Sequence, residues 1–135
     1  MLVVIHTPDL QVMLMERADH PGYWQSVTGS QNPGETLRET VLREVMEETG
    51  LAAEKFDLID CKQQNNYEIY PEWRHRYAPG VHTNTEHVWQ LKLPTPLPIK
   101  LEEREHLRYA WHPYPAAAQL CFSPSNAAAI LQLPQ

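Results

Sequence analysis

The chain predicts an α/β (α+β) fold with a mixed β-sheet. Short extended runs recur on both sides of one strongly patterned helix. That helix carries its own start and stop signals, and a second, alanine-rich helix closes the chain. At 135 residues the expectation is a single domain, 1–135, with room for a real core.

The elements follow in order. Leu2–His6 and Val12–Glu16 read as strands joined by a turn at Thr7-Pro8-Asp9. Trp24–Thr28 is a third extended run that delivers the chain to a loop at Gly29. Phe56–Cys61, the region around Tyr67–Tyr70, His87–Leu93 and Arg108–Trp111 are further strands. The last of these precedes Pro113 and Pro115, which read as breaks. Ser125–Leu133 is the closing helix, with Ser123 or Ser125 as its cap.

The strong helix is encoded in "GSQNPGETLRETVLREVMEETGL", Gly29 to Leu51. Thr36-Leu37-Arg38-Glu39 has the form of a capping box. Leu37, Val41 and Val45 repeat every four residues, flanked by Leu42 and Met46, and give an apolar stripe. Gly50 suits a left-handed C-terminal cap. Glu44, Glu47 and Glu48 occupy one narrow sector beside the stripe. Like charges four apart cost a helix about 0.2–0.5 kcal/mol per pair. No Lys or Arg lies four residues beyond Glu44 or Glu48 to offset them. Either this is a solvated acidic face or a cation belongs there. Arg43 lies between Glu39 and Glu47 at i, i+4 spacing, placed to tether carboxylates.

Composition narrows the function classes. A net charge of −6 argues against general binding to nucleic acid or to an anionic membrane. An anionic substrate then needs local cations, from arginine or from metal. The 42% hydrophobic and 21% charged content is that of a soluble globular chain. Cys61 and Cys121 stand apart with no C-x-x-C, which predicts reduced thiols and a cytoplasmic setting. "MLVVIHTPDLQVMLM" is apolar, but Pro8 and Asp9 interrupt it and it is too short to span a bilayer. His75, His82 and His87 lack the spacing of a zinc site.

The helix segment fits G-x5-E-x7-R-E-U-x-E-E-x-G-U, with U a bulky aliphatic, at Gly29, Glu35, Arg43, Glu44, Val45, Glu47, Glu48, Gly50 and Leu51. Its fixed identities would arise by chance with a frequency below about 10⁻⁷ per start position. This is the signature of the Nudix hydrolases, and the chain is identified as resembling that family. The resemblance implies an α/β/α sandwich and hydrolysis of a diphosphate linkage in a nucleoside diphosphate joined to another group, with Mg²⁺ or Mn²⁺. Mg²⁺ favours oxygen ligands and often bridges carboxylates to phosphates, so the acidic sector suits it. The metal assignment is Glu44 and Glu48 first, then Glu47.

Blocks outside the box, "YWQSVTGS", "LIDC", "RHRYAPGV" with "NTE", "EHL" before a tryptophan, and "SPSN", resemble one branch of the family. That branch acts on dihydroneopterin triphosphate. It releases pyrophosphate, leaves the monophosphate for folate synthesis, and takes dATP-like nucleotides as secondary substrates. By this resemblance Thr28, the segment Tyr67, Glu68, Ile69 and Tyr70, and Ser123 contact substrate. Each has an ordinary structural alternative: a strand threonine, a sheet-surface segment, a helix cap. Arg17 ends the second strand and is placed to hold a phosphate with paired N–H donors. Arg74, His75 and Arg76 form either a phosphate clamp or a solvated loop. The family recruits a further acid from outside the box. Of Glu102, Glu103 and Glu105, the "EHL" match favours Glu105 as ligand or general base. The expected catalytic set is Glu47, Glu105 and Arg43. The expected partner is a small-molecule triphosphate, with no nucleic acid or membrane, for a monomer or weak homodimer. Two alternatives stand beside this: a general house-cleaning (d)NTP pyrophosphohydrolase, and a Nudix-fold nucleotide sensor without turnover.

Overall fold

The computed structural model describes residues 1–68 and 83–133; at 64–68 and 83–85 it describes the backbone. Seven strands form one mixed sheet: β1 Leu2–His6, β2 Gln11–Arg17, β3 Trp24–Gln25, β4 Val27–Thr28, β5 Asp57–Glu68, β6 Thr83–Lys92 and β7 His106–Pro113. The path runs β3-β2-β1-β6-β5, with β4 also paired to β1 and β7 to β2. Among the described strands β1 and β6 run parallel, Leu2 opposite Val88. The other pairings are antiparallel.

Alternation along the central strands sorts the core into two layers. Val3, Ile5, Met13 and Met15 face α1 (Leu37–Thr49) and pack with its Val41 and Val45. Leu2, Val4, Val12 and Leu14 face the opposite way. They meet Ala117 and Ala118 of α2 (Tyr114–Leu120), and Ala129 and Ile130 of α3 (Pro124–Leu131). The result is the expected sandwich, with helices on both faces of the sheet. Among the described residues no helix is long and apolar enough to cross a membrane.

Four details differ from the sequence reading. Helix α2 stands where Pro113 and Pro115 suggested only a break. Pro115 lies in its first turn, where the missing N–H costs nothing. Trp24–Thr28 is divided at Ser26, whose N–H and hydroxyl bond the buried Asn126 of α3 instead of a strand. Strand β5 is one long element rather than two. Its register slips between Asp60 and Gln63, with Lys62 at φ 52°, so Cys61 and Lys62 form a bulge. Met46, expected on the apolar flank, is exposed.

Candidate active site

Helix α1 is fixed at both ends. Thr36 and Glu39 close a reciprocal capping box. Gly50 caps the C-terminus in the left-handed region at φ 75° and donates to the Met46 carbonyl. The backbone of Lys100 donates to the Thr49 carbonyl at 2.9 Å, which ties the helix end to the following loop. The acidic face is thereby held against the sheet end where β4 runs into the Gly29 loop.

Gly29 admits the first carboxylate. A Cβ there would fall 2.7 Å from Glu44 Oε1 and closer still to its Cδ and Cγ. No side chain can occupy this position while Glu44 keeps its place. Arg43 then organises the charges. Its Nε and Nη2 grip Glu35 with two parallel bonds of 2.8 and 2.9 Å. Nη1 donates to Glu44 at 2.6 Å and to Glu47 at a looser 3.4 Å. Nη2 also holds the Ser30 carbonyl at 2.9 Å. The Glu39–Arg43–Glu47 ladder is therefore corrected. Glu39 is occupied in the capping box, and Arg43 turns to Glu35 across the loop. Glu35, hydrogen-bonded by Arg43, Thr40 and the Asn32 amide, has its carboxyl drawn down to about 2.

Glu48 is the deepest of the acids, 2% exposed. Its Oε2 has no hydrogen-bond partner. Burial pushes its carboxyl well above the usual range, and the charges of Glu44 and Glu105 push further. Burial also raises Glu44. Glu47 is exposed at the rim. The anticipated outside acid, Glu105, lies on the turn before β7, where its carbonyl accepts from the Ala18 amide. One carboxylate oxygen each from Glu48 and Glu105 and a ring nitrogen of His106 lie within 4.8 Å of one another. Glu102 and Glu103 are exposed on the same turn.

Two residues the sequence did not single out complete this region, Gln25 and His106. Gln25 Oε1 accepts from Arg17 Nη1 at 3.0 Å, and its Nε2 lies 3.1 Å from His106 Nε2. Arginine only donates, so the amide group faces the imidazole and His106 Nε2 is the acceptor. His106 Nε2 is 3.8 Å from Glu48 Oε1. Burial, and then the charge of Arg17, lower the imidazole to about 4, so it is neutral near pH 7. Gln25 reaches the site through the β2–β3 pairing, opposite Met15, and His106 through the β2–β7 register, opposite Arg17. The one available sequence signal was the "EHL" block itself.

The remaining expected contacts divide. Arg17 is adjacent to the site but grips Asp19 with two bonds of 2.7 Å. Thr28 sits half-buried opposite Leu2, directly before Gly29. Ser123 caps α3 and shares a 3.0 Å hydrogen bond with Ser125. Tyr67 and Glu68 are described by backbone alone, at the end of β5. Ile69, Tyr70 and the Arg74–Arg76 cluster lie outside the described residues.

The chain is similar to the dihydroneopterin triphosphate diphosphatase of Escherichia coli K12, with 47% identity over 134 residues, covering 97% of this chain and 88% of that one. It is 36% identical to the Haemophilus influenzae protein of the same name, over 96% and 82% of the two chains. The solved structure of the E. coli dihydroneopterin triphosphate pyrophosphohydrolase superposes with a TM-score of 0.90 over 97% of this chain and 90% of that one. A NUDIX hydrolase structure from Listeria monocytogenes, at 24% identity, shares the fold with a TM-score of 0.82 over 98% and 88%. Residues 1–133 match the NUDIX domain, and the chain belongs to the Nudix hydrolases.

Proposed function

We propose that this chain hydrolyses dihydroneopterin triphosphate to the monophosphate and pyrophosphate, with dATP-like nucleotides as secondary substrates. The substrate assignment rests on the 47% identity that spans nearly the whole chain. The chemistry rests on the buried Glu48, whose Oε2 has no hydrogen-bond partner and whose carboxyl feels the charges of Glu44 and Glu105. A buried carboxylate without a partner is costly, and a divalent cation satisfies it. The oxygen donors of Glu44, Glu48, Glu47 and Glu105 suit Mg²⁺, with Mn²⁺ as a substitute. When bound, the metal supplies electrophilic polarisation of the phosphoryl group and acidifies water.

The protein's own groups divide the remaining work. Arg43 holds Glu44 and Glu35 in fixed orientations, so the acidic face does not reorganise during reaction. Glu105, on the exposed turn, takes the proton of the attacking water, and Glu47 at the rim assists. Arg17 exchanges part of its grip on Asp19 for the departing pyrophosphate. Thr28 and Ser123 contact substrate. The folate-pathway role, the cytoplasmic setting and a monomeric or weakly dimeric single domain belong to the same proposal.

Parallel turnover of dihydroneopterin triphosphate, dATP and the other dNTPs with Mg²⁺ tests the substrate assignment. A kcat/KM highest for the pterin supports it. Equal values across the dNTPs, with the pterin among the poorest, would point to a house-cleaning enzyme.

A further inference from the structure

His106 brings a nitrogen donor into a cluster of oxygen donors. A ring nitrogen and one carboxylate oxygen each of Glu48 and Glu105 lie within 4.8 Å of one another, and His106 Nε2 is 3.8 Å from Glu48 Oε1. Donors around one tetrahedral Zn²⁺ sit roughly 3.4 Å apart, so a small adjustment would let the ring join the two acids on an ion. An imidazole beside two carboxylates suits zinc and the later transition metals better than Mg²⁺, and those metals bind such sets more tightly. A site kept for Mg²⁺ therefore needs this ring held out of coordination.

Gln25 supplies the means. Its Nε2 lies 3.1 Å from His106 Nε2 and donates to it, so the ring lone pair nearest Glu48 is already engaged. The ring proton then sits on Nδ1, which has no hydrogen-bond partner among the described residues and, protonated, has no lone pair for a metal. Arg17 Nη1, donating to Gln25 Oε1 at 3.0 Å, fixes which end of the amide faces the ring. The Arg17 atoms that grip Asp19 are Nε and Nη2, so loosening that grip for a phosphate leaves the bond to Gln25 intact. Gln25 and His106 are both buried, which keeps water from competing for the shared bond.

We infer that Gln25 masks the Nε2 lone pair of His106 and thereby sets the metal preference of the site. This rests on the cation site proposed above and specifies how the chain keeps that site all-oxygen and selective for Mg²⁺ over zinc. Gln25 is a positioning residue in this role: it acts on the metal only through the imidazole.

The test uses the whole chain as wild type, Gln25→Leu and the double variant Gln25→Leu/His106→Phe, with thermal melts to establish folding. Calorimetry gives the affinities for Zn²⁺ and Mg²⁺, and pulsed electron paramagnetic resonance on bound Mn²⁺ reads any directly coordinated ¹⁴N. Wild type should show no ¹⁴N ligand. Gln25→Leu should gain one, and its preference for Zn²⁺ over Mg²⁺ should rise by about tenfold or more. Both changes should vanish in the double variant. Gln25→Met carries the same comparison if Gln25→Leu does not fold, and the wild-type spectrum needs no variant. A ¹⁴N ligand in wild type would overturn the inference, as would an unchanged preference in Gln25→Leu or a shift that persists without His106. If wild type binds neither Mn²⁺ nor Mg²⁺, the cation site itself fails, an outcome distinct from binding with a nitrogen already coordinated.

Discussion

Arg43 and Glu35 face each other as a planar fork and a planar carboxylate, with N–H···O distances of 2.8 and 2.9 Å. The remaining donors of the same guanidinium hold Glu44 and the Ser30 carbonyl. One side chain thus orients one acid, anchors the loop and braces a second acid. Lysine keeps the charge but cannot make this fork. Arg43→Lys should fold, weaken Mn²⁺ binding measured by electron paramagnetic resonance, and lower kcat by about 10–100-fold. Wild-type kcat and Mn²⁺ affinity would show that the charge alone suffices.

Gly29→Ala tests the close approach at the loop. The new methyl meets the flexible end of Glu44 rather than backbone, so the fold should survive while the carboxylate is displaced. A misplacement on the order of 1 Å at a reacting centre can cost about 10² in rate. Near-normal turnover, with a melting temperature like wild type, would mean that Glu44 does not need its present position.

Glu48 links pH to stability in the metal-free protein. Its folded-state pKa is raised, so the folded protein keeps a proton that the unfolded chain loses above the ordinary carboxylate range. The stabilisation is full below about pH 4.5 and is lost as pH rises through the folded-state value. Glu48→Gln in EDTA should therefore melt higher than wild type at pH 8 and about equal to it at pH 4. Hydrolysis should largely disappear in the same variant. A lower melting temperature at pH 8 would contradict the burial argument. Full activity with saturating Mg²⁺ would remove Glu48 from the metal set.

The helix was legible because its signals are local. The capping box, the four-residue repeat ending at Val45, and Gly50 all lie within one segment. The sandwich was implied by the family resemblance, but the sorting of β1 and β2 side chains into two layers was not legible, because every residue of Leu2–His6 is buried and shows no polar alternation. Helix α2 was not legible, since Pro115 in a first turn looks the same as Pro115 in a loop. Glu44 and Glu48 could be read as neighbours from spacing alone. The Arg43–Glu35 fork could not, because Glu35 lies outside the helix in the preceding loop, whose course no local pattern fixes. Gln25 and His106 meet only through the pairing of β2 with β3 and β7, a tertiary fact that no local pattern carries.

The turn before β7 supplies its own control. Glu105 lies beside Glu48 and His106, whereas Glu103, two residues earlier, belongs to no such group among the described residues. Glu105→Ala should lower kcat far more than it raises KM, and Glu103→Ala should do little, though each removes one negative charge. Equal behaviour would reduce the effect to general electrostatics. Inactivation by Glu103→Ala alone would move the role two residues upstream.

The most direct test of the whole account is product release from dihydroneopterin triphosphate, with and without chelation. After exhaustive EDTA treatment, turnover should be absent. Mg²⁺ added without zinc should restore it, yielding one pyrophosphate for each dihydroneopterin monophosphate formed. Turnover that survives chelation, or release of orthophosphate in place of pyrophosphate, would contradict the reading of the acidic helix as a cation-dependent pyrophosphohydrolase site.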